Sequence, residues 1–350
     1  MKSGRPVTGT QEPRLPASPV QGREATTPTR SVVFGAAATY QLHGVVVESE
    51  FALDARRLEG IPETPDYVVR DGGIREAGAA PPGGRLVAEL RFPGYGYSAV
   101  ESPARPEAWT IRYDGSAQFV IDRGTNTITV HPESAAGRRI VSVLLGTNVL
   151  AHVLAREGEL VLHASSVELG GRALAILGGV GAGKSTLAGL VCGAGARLVS
   201  DDMLRVDLSE GAPRCFRGTG VVRLRPAAAA LASEIAGAEV IETADGRVGV
   251  IPAPTPSDRP PLGAVLVPAP SREARELEVG RLEAREALVE LLRYPRLTAW
   301  RTRGPIRAHF DGAARLAQAV PLYRATIPWG PPFAAGLAEE LLGAVGMGGR

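Results

Sequence analysis

Lysine is almost missing from this chain. Of its 39 Lys and Arg residues only Lys2 and Lys184 are lysine, so nearly every basic position uses the planar guanidinium. Cysteine is as scarce. Cys192 and Cys215 form no CxxC pair and have no histidine at metal-ligand spacing, which excludes a disulfide scaffold and a thiolate zinc site. Such usage is that of a reduced, cytoplasmic interior. No dense Lys/Arg block carries interleaved aromatics, and the formal net charge is only +2, so no nucleic-acid surface is expected. No uninterrupted apolar run reaches the roughly 18 residues of a membrane span, and the first residues lack the apolar stretch of a signal peptide. What remains is a 350-residue chain, 44% hydrophobic and 22% charged, long enough for one large domain or two ordinary ones.

The sequence divides into three parts. Residues 1–30 are rich in Pro, Ser, Thr and Gly with almost no large apolar side chains, and are expected to be a disordered tail. Residues 31–137 form a β-rich N-terminal domain. VVF (32–34), YQLHGVVVESE (40–50), DYVVRD (66–71), RLVAELRF (85–92) and the run from Trp109 to Pro132 read as strands of a small antiparallel sheet. Asp114-Gly115 and Gly124-Thr125-Asn126 mark turns within that run. Residues 138–157 read as a helix opening the third part, 138–350. There, residues 159–177 read as two strands joined by a turn at Gly170-Gly171. Residues 185–196 have helical spacing, stopped at Gly193 or Gly195, and RLVS (197–200) is a further strand. Strand, loop, helix and strand make a βαβ unit, with RLVS expected beside the strand that precedes the loop. The rest mixes a strand at 264–268 with helices at 285–293, 312–320 and 333–345. The fold class is α/β.

The lone internal lysine sits in Gly178-Gly179-Val180-Gly181-Ala182-Gly183-Lys184-Ser185-Thr186, which fits G-x-x-x-x-G-K-[ST] at every fixed position. Glycines let the loop wrap with its N–H groups facing inward. The following helix adds its positive dipole end. A compact ammonium on a thin stem reaches the β- and γ-phosphates of ATP where a guanidinium fork is too wide. The Ser185 hydroxyl is suited to Mg²⁺. LVSDD (198–202) ends a strand in Asp201 and Asp202, where a Mg²⁺-linked or proton-accepting carboxylate belongs. Residue type and spacing leave the two roles undivided between them. His163, in LHASS, and Arg217, in FRGTG, are weaker candidates by spacing alone. Arg223 and Arg225 are weaker still.

Together these residues resemble the catalytic domain of the bacterial HPr kinase/phosphorylase family. The match runs over roughly 160–225 and includes a His-containing strand, a hairpin, the phosphate loop, one helix, an Asp-Asp strand end, and an Arg-Gly-x-Gly element at Arg217 to Gly220. Val180, Thr186 and Met203 depart from the residues usual in that family. TYQLHGVVVESEFALD and VPLYRATIP resemble instead the HPr-kinase-related proteins, some of which lie in lasso peptide clusters. The resemblance implies a P-loop kinase domain of HPr-kinase type behind the β-rich domain. It implies ATP and Mg²⁺, and a serine hydroxyl on a protein or precursor peptide as acceptor. It places His163 and Arg217 in the catalytic set with Asp201 and Asp202, and has one aspartate of the pair, here assigned as Asp201, receive the acceptor proton, with Ser185 and Asp202 at the metal; the division between the two aspartates stays open. Rival readings are a kinase of a small hydroxyl compound, such as a free amino acid, and an ATP-dependent switch without transfer. The oligomeric state is open.

Overall fold

The computed structural model describes residues 37–59, 64–76, 83–92, 95–105, 107–209, 211–330 and 332–348. The tail expected over 1–30 and the VVF segment at 32–34 lie outside them. The described chain is a mixed α/β protein.

Residues Ala38 to Pro132 form a nine-stranded sheet. Strict alternation sets its faces: in Ala117–Asp122, Ala117, Phe119 and Ile121 are buried while their neighbours are half-exposed. The sheet is larger than expected and is not wholly antiparallel. Tyr67–Asp71 runs parallel to Val45–Ser49 on one side and to Thr127–Pro132 on the other. Hairpin turns announce antiparallel neighbours, whereas a strand entering through a longer connection leaves no local mark of its direction.

A continuous helix, Ala135–Arg156, covers this sheet. It is long and apolar enough to cross a membrane, and it is mostly buried, with Val141, Val149, Ala151 and Val153 fully so. Ser134 caps its start, its hydroxyl accepting from the Gly137 amide at 3.0 Å. Midway, Leu145–Val149 widens into a π-helical turn.

The third part is built on a six-stranded sheet. Its order is Arg197–Ser200, Ala164–Leu169, Arg172–Leu177, Leu262–Ser271, Leu322–Pro328, Glu278–Arg281. In RALAIL (172–177), Leu174 and Ile176 face helix Lys184–Gly193 and helix Leu337–Ala344. Ala173, Ala175 and Leu177 face helices Ala284–Arg293 and Arg303–Ala319. With both faces covered, the strand is apolar throughout. Each fully buried Leu or Ile contributes about 1.5–3 kcal/mol. Cys192 and Cys215 are buried free thiols in these layers.

Two sequence expectations change here. RLVS does not pair with the strand before the loop. Ala164–Leu169 lies between them and is antiparallel to both. The Gly170-Gly171 turn, with φ of +58° and +75°, folds that intervening strand into place. The outer two therefore run the same way, and the loop and Asp201-Asp202 emerge at the same end of the sheet. The first strand of 159–177 is also broken. Leu160–Leu162 joins a separate three-stranded sheet with Leu204–Asp207 and Arg214–Cys215, and His163 sits at the bend between the sheets. Its main chain is spent across the break: its N–H donates to the Tyr294 carbonyl at 2.9 Å and its carbonyl accepts from the Gly178 amide at 3.4 Å.

Candidate functional site

Four strands of the six-stranded sheet point their carboxyl ends the same way, and a cleft of about 270 Å³ lies there. Ligands of open α/β sheets bind at such carboxyl ends. The strand ending at Leu177 delivers the loop, and that ending at Ser200 delivers the acid pair. The strand ending at Ser271 delivers Arg272, and that ending at Pro328 delivers Trp329. The loop, Asp202, Arg272 and Trp329 all line the cleft, with His163, Arg223, Arg225 and Arg247.

The loop has little room for other residues. Gly181 and Gly183 have φ of +86° and +83°. A Cβ on Gly183 would lie 2.2 Å from the Trp329 indole, and one on Gly178 would lie 2.9 Å from the Ala182 methyl. Helix Lys184–Gly193 begins at Gly183 with no side-chain cap, so no side chain takes up its first N–H groups. That is the arrangement of an anion site.

Lys184 and the acids form one polar cluster. The Lys184 ammonium donates to the Gly179 carbonyl at 2.9 Å and to His163 Nε2 at 3.0 Å. An ammonium only donates, so Nε2 must accept and the imidazole proton sits on Nδ1. Nδ1–H then donates to the Asp202 carbonyl at 3.0 Å, with Asp202 Oδ1 at 3.3 Å. Burial, followed by the Arg296 and Lys184 charges, lowers the pKa of His163 to about 4, so the ring is neutral at pH 7. Burial lowers Lys184 to about 8, against the pull of Asp202 and Asp201. Burial also works to raise Asp202, but Arg296 and Arg223, then His163 and Lys184, more than offset it and hold Asp202 well below the usual carboxylate range.

The two aspartates have different surroundings. Asp201 is buried. Its Oδ1 accepts from the Ser185 hydroxyl at 3.0 Å and from the Ser165 hydroxyl, and its Oδ2 accepts from the Arg223 amide at 3.0 Å. Asp202 faces the cleft, at φ +70°, and its Oδ2 accepts from Arg296 at 2.9 Å and Arg223 at 3.2 Å. The carboxylate bonded to the Ser185 hydroxyl is thus Asp201, while Asp202 is the one that faces the cleft.

Arg217 is not at this cleft. Its side chain borders a second, larger cavity, where its guanidinium donates to the Thr255 carbonyl at 3.4 Å and lies 3.9 Å from Asp258. The FRGTG segment is instead a joint. The Arg217 carbonyl accepts from the His43 amide at 2.6 Å, and a Cβ on Gly218 would lie 2.3 Å from the His43 ring and 2.1 Å from Ser200 Oγ. Thr219 donates its hydroxyl to the Asp201 carbonyl at 3.1 Å. The guanidiniums at the cleft are Arg223, Arg225, Arg247 and Arg272, and Arg296 reaches Asp202 from beside it. Among 37 candidates nothing local in the sequence separates them; strand ends would have singled out Arg272 and Trp329. Among the described residues no group of three or more His, Cys, Asp or Glu could hold a metal by itself.

No protein-family model matches this chain, and no curated protein matches it either. Among solved structures, the HPr(Ser) kinase/phosphatase from Coxiella burnetii is similar at 11% identity, over 53% of this chain and 87% of that one, with a TM-score of 0.28. A superposition that loose defines neither the chemistry of this chain nor its substrate.

Buried neutral histidines give the protein a pH dependence. Burial is the first cause at all three: His43 falls to about 4, His152 to about 3 and His163 to about 4. The unfolded chain protonates near 6.5, so it gains protons that the native state refuses as pH falls below that value. Stability is therefore expected to drop by several kcal/mol between pH 6.5 and about 4. Urea unfolding across that range checks it, and His152→Phe, which removes the largest shift, should flatten the curve. A level profile in the unaltered protein would contradict the assigned burial.

Proposed function

We propose that this chain is an ATP-dependent phosphotransferase of the P-loop kinase type that the sequence resembles, moving the γ-phosphoryl group to a serine hydroxyl of a protein or precursor peptide. The observation that carries the reading is one cleft holding both halves of the chemistry: a glycine loop with an uncapped helix end and Lys184, and facing it the Asp202 carboxylate among arginines.

The residues fit a triphosphate. The loop amides and Lys184, exchanging its bonds to Gly179 and His163, receive the β- and γ-phosphates. Mg²⁺ would be held on the Ser185 hydroxyl with Asp201 behind it, where it neutralises phosphate charge. Asp202 accepts the hydrogen bond of the acceptor hydroxyl. As the acceptor O–P bond forms and the bond to the leaving ADP oxygen breaks, the hydroxyl proton passes to Asp202. A carboxylate held at so low a pKa orients the hydroxyl more than it drives deprotonation, which suits a loose phosphoryl transition state. Arg223, Arg225, Arg247 and Arg272 replace Arg217 as the groups meeting the charge of the transferred phosphoryl.

The test is incubation of the full chain with γ-labelled ATP and Mg²⁺, with a serine-containing peptide library in one arm and free serine in another. Label on peptide serine is the expected result. Label on the free amino acid moves the proposal to the small-molecule rival, and ATP hydrolysis without any labelled acceptor overturns transfer.

A further inference from the structure

A cavity of about 720 Å³, larger than the loop cleft, belongs to none of this chemistry. It lies on the other side of the acid strand. Leu198 and Val199 border it, whereas Asp202, three residues on, borders the loop cleft. Its volume is within the roughly 300–1,000 Å³ of ligand sites. Its frame is unusual, because two sheets end at it. Arg56–Arg57 is the outermost strand of the nine-stranded sheet. Glu239–Glu242 is the outermost strand of the three-stranded sheet that it forms with Val248–Ile251 and Val222–Leu224. Arg56, Arg57, Ile241 and Glu242 all border the cavity. Open strand edges present unpaired N–H and C=O groups and add an extended chain.

The charge bordering the cavity is unequal. Five arginines face it (Arg56, Arg57, Arg138, Arg139 and Arg217) against the carboxylates Glu50, Asp54 and Glu242. Arg56 is held by Asp258 at 2.9 Å, and Arg138 by Asp71. Arg57 and Arg139 are exposed, and among the described residues neither has an acidic partner. The chain's own residues 1–36, with five basic and two acidic side chains, are a poor electrostatic match for this surface.

We propose that this cavity binds an extended acidic peptide segment, which adds as a strand to one of the two sheet edges and sets its carboxylates against Arg57 and Arg139. Binding needs neither nucleotide nor transfer, so the proposal stands apart from the kinase reading.

The test is fluorescence anisotropy at low salt on the full chain without nucleotide. The probe is a labelled ten-residue peptide of alternating Glu and Val around a central Ser. Comparison probes are its Lys counterpart, its alternately N-methylated analogue, and an oligothymidylate of equal length. Expected are binding of the acidic peptide alone, weakening with salt, loss of about tenfold in the Arg57→Glu/Arg139→Glu double variant, and a comparable loss on N-methylation. Lys184→Ala should leave this binding unchanged. Because both reversed arginines are exposed, an unaltered melting temperature and nucleotide affinity certify the fold. Equal binding of the Lys peptide, indifference to the double reversal, or preference for the oligothymidylate would each overturn the proposal. Binding that survives N-methylation would remove the strand-addition mode.

Discussion

Lys184→Ala is expected to lower phosphoryl transfer by about a thousandfold or more, with the fold intact. On the proposed function, the size follows from removing the loop's flexible cation, which would meet the γ-phosphate, a charge that preorganised sites use at full strength. The fold survives because this ammonium is not a stabilising group. Burial lowers its pKa to about 8, which means that the folded surroundings favour the neutral amine relative to water. Labelled-phosphate transfer and a melting curve on the same preparation check both halves. Lys184→Arg should recover little, since a planar fork cannot use the Gly179 carbonyl and the triphosphate channel as a point charge does. Above pH 8 the unaltered protein should also bind ATP more weakly, as free Lys184 loses its proton before the triphosphate arrives. Titration calorimetry on either side of that value reads this directly. Transfer within tenfold of normal in Lys184→Ala would remove the loop from the reaction.

The second large effect is expected at Asp202. Asp202→Asn should lower transfer by about 10²–10⁴-fold, the range of a positioned proton acceptor, while ATP still binds. It should also destabilise the protein by about 3 kcal/mol, because the Arg296 and Arg223 guanidiniums lose the carboxylate that pairs them. Asp201→Asn should behave differently. Asp201 reaches the Ser185 hydroxyl and does not border the cleft, so on the proposed function its loss should show as a higher Mg²⁺ requirement that added Mg²⁺ partly restores. Initial rates against Mg²⁺ concentration, with ATP binding measured separately, distinguish the two. If Asp201→Asn abolished transfer beyond rescue while Asp202→Asn kept it, the assigned roles would be exchanged.

The reach of the sequence was uneven, and the reasons are physical. The loop was readable because its demands are local: φ values above zero at Gly181 and Gly183, and one cation on a helix that starts at once. The strand RALAIL was readable because both its faces are covered. The acid pair was readable as a pair but not in its two surroundings. Which carboxylate turns toward Ser185 and which toward the cleft is decided in the fold, where Asp202 has a φ of +70°. The FRGTG motif did not place Arg217: the structure sets its side chain at the larger cavity, and the glycine beside it lets His43 approach. Arg296 carried no signal at all. It enters from a segment nearly a hundred residues after the acid pair, and only the folded chain brings it within 2.9 Å of Asp202.

The π-helical turn at Leu145–Val149 has a consequence of its own. Its Gly146 carbonyl accepts from the His43 ring, 2.9 Å away on the N-terminal sheet, and its Asn148 side chain accepts from Arg296, which in turn grips Asp202. One widened turn therefore holds contacts to two halves of the molecule. A π-turn takes up its extra residue within the turn, so the helix on either side keeps nearly the facing it would have without that residue. Deleting one residue there would restore ordinary winding with little change in the flanking helix, yet it would remove the wide turn that offers the Gly146 carbonyl to His43 and the Asn148 side chain to Arg296. The extra residue thus serves these two contacts rather than the helix that carries them.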